Sequence, residues 1–241
     1  MHGWLLAGRL WDPLVDHWQG RWSCWCPDLP GFGGSSRPRG LQPSLASYGR
    51  WLAAAVQERA SGSPVVLVGH SLGGSVALHA AAALGSQLQG LVQIAVGGGI
   101  YQPRPFAAVR RGGAAFLRWR PAWLAQLPAA EPLASPLRAD LHAARGLLAC
   151  SMRRQAVHQL PLLVHRLQVP SLWIAGSNDR VMEPRYVRHL ASYAPDHGLV
   201  ELAGAGHLPM RQRPDQLAEA IDTWLVQRLA NPRSCSSASR A

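Results

Sequence analysis

The run Val65-Val66-Leu67-Val68-Gly69-His70-Ser71-Leu72-Gly73-Gly74 constrains this chain more than any other, because an apolar, β-branched strand runs into a G-x-S-x-G pentapeptide that opens a helix. Helix formers from Ser75 to Leu84 continue it and complete a strand-turn-helix unit. Such a unit reads as a nucleophile elbow. Gly69 and Gly73 keep Cβ atoms away from the point where strand and helix cross. The turn holds Ser71 in a strained backbone conformation, with its hydroxyl exposed at the carboxyl edge of a sheet.

A serine hydroxyl is a poor nucleophile until a base takes its proton, and the base works best when a carboxylate fixes its tautomer. The order expected behind an elbow is Ser, Asp, His. Asp179 is the candidate carboxylate, in the turn Gly176-Ser177-Asn178-Asp179 that follows the strand Ser171 to Ala175. His207 is the candidate base, in the loop Ala203-Gly204-Ala205-Gly206-His207 after the strand Leu199 to Leu202. The plainer alternatives are a turn or capping role for Asp179 and an ordinary loop histidine at 207. The rival carboxylates Asp140 and Asp196 do not follow a strand in this way. His70 adjoins the nucleophile, but neighbours on a sharp turn point apart, so it reads as a packing residue of the elbow. The other histidines, His17, His79, His142, His158, His165, His189 and His197, carry no motif.

Along the chain, strand candidates alternate with helices: Trp22 to Cys26, helix Tyr48 to Arg59, Val65 to Val68, helix Ser75 to Leu84 and strand Leu88 to Val96. After an insertion come the strand Ser171 to Ala175, the helix Arg185 to Tyr193, the strand Leu199 to Leu202 and the helix Asp215 to Leu229. This βα alternation predicts an α/β fold, a mostly parallel sheet with helices on both faces. One domain is expected over residues 1–229, with a cap insertion at about 97–160 and a disordered Ser-rich tail at 230–241. The cap is punctuated by Pro and carries Phe106, Phe116, Trp119 and Trp123, which are expected to form its own small core and in part to line a pocket.

The formal charge is +11, and every one of the 24 basic residues is Arg. The cap concentrates them: Arg104, Arg110, Arg111, Arg118, Arg120, Arg138, Arg145, Arg153 and Arg154 face only Glu131 and Asp140. This field reads either as a solvated face or as a docking surface for an acidic partner or anionic substrate. No nucleic-acid-binding motif accompanies it. No apolar run reaches the length of a membrane span, and the first residues lack the pattern of a signal peptide, so the expected location is the cytoplasm. Cys24 and Cys26 are too close to bridge comfortably, and Cys150 and Cys235 have no metal-ligand partners at useful spacing, so free thiols and no metal are expected.

With these residues in place the chain resembles the α/β-hydrolase superfamily, in particular small cofactor-free serine esterases with a helical cap. His2-Gly3-Trp4 is similar to the family's H-G-x oxyanion loop, and Asp28-Leu29-Pro30-Gly31-Phe32-Gly33-Gly34-Ser35 to its D-x-P-G-x-G-x-S loop. The resemblance implies that the backbone N–H groups of Trp4 and Leu72 hold an oxyanion, and that Asp28 ties its loop down rather than reacting. It also implies a hydrophobic strand before the H-G-x loop, beside the nucleophile strand. The corresponding expectation is an internal Met1, with a native start about 20 to 30 residues upstream. A serine at the elbow argues against the carboxylate-nucleophile chemistry of dehalogenases and epoxide hydrolases.

The reaction this implies is hydrolysis of a carboxylic ester or thioester through an acyl-Ser71 intermediate. The Arg-rich cap and the His-Gly-Trp start resemble esterases that demethylate pimeloyl-acyl-carrier-protein methyl ester in biotin synthesis. Arg153 and Arg154 are then candidate docking residues for an acidic acyl carrier protein. A small-ester or lipid-ester hydrolase, an acyltransferase or carbon-carbon bond hydrolase with the same triad, and a non-catalytic binding module remain alternatives.

Overall fold

Strands with both faces covered need apolar residues on alternating sides, and the sequence supplies them. In β3 (Ser171–Gly176), Trp173 and Ala175 enter one core while Leu172 and Ile174 enter the other. In β2 (Leu88–Ile94), Leu91 and Val92 split in the same way. The computed structural model describes residues 1–97, 103–119 and 134–229. Arg120, Trp123, Glu131, the side chains of Arg104, Phe106 and Arg110, and the tail from 230 to 241 lie outside that description.

The described sheet is parallel, in the order β1 (Val65–His70), β2, β3, β4 (His197–Leu202). One face is covered by α2 (Leu45–Ala60), α3 (Leu72–Leu84) and α8 (Pro184–Ala191). The other is covered by α1 (Asp12–His17) and α10 (Pro214–Leu229), with the short α9 (Pro209–Gln212) beside them. Sequence periodicity did not reveal α1. It is six residues long, and Pro13 in its first turn fixes a helical φ where no N–H is needed. Its core contacts come from Leu14 and the flanking Trp11 and Trp18.

The expected strand Trp22 to Cys26 is not a strand in the structure. A ladder needs a partner, and the position beside the carboxyl half of β1 is taken by Met1, whose amino group donates to the Val68 carbonyl and whose carbonyl accepts from His70 N–H at 3.0 Å. The extended segment is held by side chains instead. Arg21 Nη1 and Trp22 Nε1 donate to the Asp222 carboxylate of α10 at 2.7 and 2.9 Å.

Between β2 and β3 lie α4 (Pro103–Trp119), α5 (Ala134–Arg138), α6 (Leu141–Ser151) and α7 (Arg154–His165). The insertion therefore runs a little past residue 160. Among its described residues the buried side chains are aliphatic: Leu117, Ala143, Ala144, Leu147, Leu160 and Val164 are buried, while Trp119 is 76% exposed and Phe116 is exposed too. Asp140 joins this cap to the loop after Asp28. Its Oδ1 caps α6 at Ala143 N–H (2.7 Å), its own N–H donates to the Gly31 carbonyl (2.7 Å), and Arg37 Nε reaches Oδ1 at 3.3 Å. Among the described residues no helix is long and apolar enough to cross a membrane.

Candidate active site

The turn between β1 and α3 leaves no room for side chains beyond those it has. Ser71 sits at φ 51°, ψ −123°, a conformation that costs a non-glycine residue about 1–3 kcal/mol. It is held there by its N–H bond to the Ile94 carbonyl (2.9 Å) and by the helix that starts at Leu72. A Cβ on Gly69 would lie 2.5 Å from Gly74 Cα, and one on Gly73 would lie 2.2 Å from the His2 carbonyl. The first glycine lets α3 fold back onto its strand. The second lets the backbone of Met1 and His2 lie against the start of α3.

Ser71, Asp179 and His207 come together from three loops at the carboxyl ends of β1, β3 and β4. His207 Nε2 is 3.3 Å from Ser71 Oγ, and His207 Nδ1 is 2.8 Å from Asp179 Oδ2. A carboxylate only accepts, so Nδ1 carries the proton and the Nε2 lone pair faces the serine hydroxyl. Asp179 is 2% exposed, and its other oxygen accepts from the Val181 and Met182 N–H groups, both at 2.8 Å. The turn role is thus also present, on Oδ1, while Oδ2 is left for histidine; Asp179 does not cap the next helix, whose N-cap is Glu183. The loops of Asp179 and His207 touch directly. A Cβ at Gly176 would be 2.5 Å from the carbonyls of Ala205 and Gly206, and Asn178 N–H donates to the Ala205 carbonyl at 2.8 Å.

Two sets of bonds set the placement of Trp4 and Leu72. Leu72 is the first residue of α3, where backbone N–H groups have no acceptor within the helix and the dipole favours negative charge. Trp4 follows His2, which is fully buried, donates from Nδ1 to the Gly3 carbonyl (2.9 Å) and accepts at Nε2 from Leu29 N–H (2.8 Å). Burial pulls the His2 pKa down to about 4, so this bridge uses a neutral ring. Asp28 fastens the same loops, its two oxygens accepting from Gly8 N–H (2.6 Å) and Gly34 N–H (2.7 Å). The Trp4 indole donates to the Ala144 carbonyl of α6 at 2.9 Å, which links the loop to the cap. The Asp28 bond to Gly34 lies within the motif that marks this loop, whereas the bonds of His2 to Leu29 and of Trp4 to Ala144 have no local sequence signal.

Arg153 and Arg154 are exposed at the start of α7, and neither forms an ion pair among the described residues. A shallow depression of about 500 Å³ lies nearby in sequence, on α6, lined by Leu141, His142, Arg145, Gly146 and Ala149 and by none of the three residues around Ser71.

A parallel sheet crossed by an elbow at Ser71 and roofed by a helical insertion defines an α/β-hydrolase. Residues 1–220 match the alpha/beta hydrolase family, and the chain belongs to it and is an ester hydrolase. Its relatives include the pimeloyl-acyl-carrier-protein methyl ester esterase of Xanthomonas axonopodis pv. citri, 32% identical over 94% of this chain and 93% of that protein. The protein of the same name from Stenotrophomonas maltophilia is 30% identical over 94% and 91%. Among solved structures, a bromoperoxidase from Bacillus anthracis superimposes with a TM-score of 0.78 at 17% identity, over 93% of this chain and 89% of that one, which bears on the fold alone.

Proposed function

We propose that Ser71 is the nucleophile, His207 the general base and acid, and Asp179 the residue that fixes the His207 tautomer, in hydrolysis of a carboxylic ester through an acyl-serine. The relay of 3.3 and 2.8 Å from Oγ through the imidazole to a buried carboxylate carries this reading. Ser71 Oγ attacks the ester carbonyl as Nε2 takes its proton. The oxyanion forms against the amides of Trp4 and Leu72, each such donor being worth about 3–4 kcal/mol in the transition state. The imidazolium protonates the departing alkoxide, leaving acyl-Ser71 and an alcohol. Water then attacks with His207 as base, releasing the acid and restoring the serine. A fluorophosphonate probe tests the assignment. It is expected to label the chain at Ser71 and to leave Ser71→Ala unlabelled. Equal labelling of both proteins would remove the hydrolytic role of this serine.

The substrate of this reading is the methyl ester of a pimeloyl group carried on acyl carrier protein, cleaved to the free acid and methanol. It is supported by the names of the relatives and by the exposed Arg138, Arg145, Arg153 and Arg154 on the cap, which suit an acidic carrier. The free thiols of Cys24, Cys26 and Cys150 fit the cytoplasm as its compartment. Arg153→Glu combined with Arg154→Glu is expected to lower kcat/KM for the carrier-bound ester about 10-fold more than for a nitrophenyl ester. Equal changes on both substrates would remove this docking surface. Turnover of nitrophenyl esters with none of the carrier-bound ester would favour a small-ester hydrolase.

A further inference from the structure

His70 is a fully buried imidazole one residue before the candidate nucleophile, and the chemistry above gives it no part. Its Nε2 lies 2.8 Å from the His207 carbonyl oxygen. A carbonyl only accepts, so Nε2 carries the proton and Nδ1 is a bare lone pair. Nδ1 has no hydrogen-bond partner among the described residues, and the Cβ position of Gly3 would fall 2.8 Å from it, so the oxyanion loop lies directly over it. The ring also packs on that of His207, with centroids 4.9 Å apart at 57°. Burial and the neighbouring His207 hold the His70 pKa well below the usual histidine range, so it adds no second positive charge when His207 is protonated.

The bonds that hold the rest of the His207 loop lead elsewhere. Gly204 N–H donates to Ser177 Oγ, the Ala205 carbonyl accepts from Asn178, and Gly206 N–H donates to Gln212 Oε1. These fix the loop to the turn after β3 and to α9. The His70 bond ties the backbone of His207 itself to the end of β1, the strand that carries Ser71. That end is in turn fixed by pairing of His70 with Ile94 of β2 and by the bond from His70 N–H to the Met1 carbonyl.

Resting on the assignment of Ser71 and His207 as nucleophile and base, we propose that His70 is a positioning residue, whose Nε2–H bond to the His207 carbonyl sets the distance between the base and the nucleophile. A packing role needs only the volume of the ring, whereas positioning needs a donor at the Nε2 position. Gln places its amide nitrogen near that position, Asn is polar but too short to reach it, and Leu fills the space without a donor.

Three variants, His70→Gln, His70→Asn and His70→Leu, are compared with the parent by steady-state hydrolysis of a nitrophenyl ester and by the second-order rate of fluorophosphonate labelling, at a temperature below all their unfolding transitions. His70→Gln is expected within about 3-fold of the parent. His70→Asn and His70→Leu are expected to lose about 10- to 100-fold in kcat and in labelling rate, with KM changed less than about 2-fold. If His70→Leu does not fold, the Gln and Asn pair gives the same comparison between two polar residues. Equal rates for Gln and Asn, or losses confined to KM, would overturn the proposal while the labelled parent keeps the nucleophile assignment. An unlabelled parent would overturn both.

Discussion

Ser71→Ala is expected to lower kcat on any ester substrate about 10⁵- to 10⁶-fold, and Asp179→Asn about 10⁴-fold with little loss of stability. The second figure follows from which atoms Asp179 uses. Its Oδ1 accepts from the Val181 and Met182 N–H groups, and an asparagine keeps both bonds only by placing its oxygen there. Its NH₂ group must then face His207, 2.8 Å from Nδ1. Nδ1 becomes an acceptor, the proton moves to Nε2, and the base presents N–H rather than a lone pair to Ser71. The loop keeps its bonds, so the melting temperature stays within a few degrees while kcat falls. Asp179→Ala separates the two roles, because it also strands two backbone donors at about 1–3 kcal/mol each in a buried site. Its melting temperature is expected to fall as well as its kcat. Asp179→Asn activity within 10-fold of the parent would show that tautomer control at Nδ1 is not what this carboxylate does.

The residues that converge on Ser71 were legible for a local reason. An elbow needs glycines at fixed offsets inside a strand-turn-helix unit, and residues that follow parallel strands emerge at one edge of the sheet, so Asp179 and His207 are marked by the strands before them. Strands β2 and β3 were legible because each is an apolar run with buried residues on both faces, and β1 because its apolar run leads into the elbow. The edge strand β4, with His197, Leu199 and Glu201 exposed, was legible only from Leu199 to Leu202. Trp22 to Cys26 has the same local appearance but no ladder beside it, and a strand is a property of two segments. Two of the cap aromatics, Phe116 and Trp119, misled in a related way: both are exposed, and Trp119 rests under the Arg118 guanidinium at 5.7 Å instead of entering a core. His70 and His207 are separated by 137 positions, and no periodicity links a side chain to a carbonyl at that distance. Sequence order locates the groups that converge, whereas the bonds that hold them together become visible only once the loops are packed.

Gly73→Ala is expected to cost about 3 kcal/mol or more of stability and about 100-fold in kcat, a large effect for a single methyl group. Its Cβ would lie 2.2 Å from the His2 carbonyl and 2.6 Å from that of Met1, both backbone atoms, so no side-chain rotation relieves the contact. The segment from Met1 to Trp4 must retreat from α3. That strains the His2 bridge to Leu29 and the Met1 pairing with β1, and it moves the Trp4 amide away from the oxyanion position, where a displacement of about 1 Å is enough to lose the donor. For a chain of this length such a cost lowers the melting temperature by about 6–12 °C. Gly112→Ala in α4 is the matched control, because nothing among the described residues lies within 4 Å of its Cβ position and the helix gains up to about 1 kcal/mol from the better helix former. A Gly73→Ala protein with parental kcat and melting temperature would show that the N-terminal loop does not press on the elbow, and would remove Trp4 from the oxyanion hole.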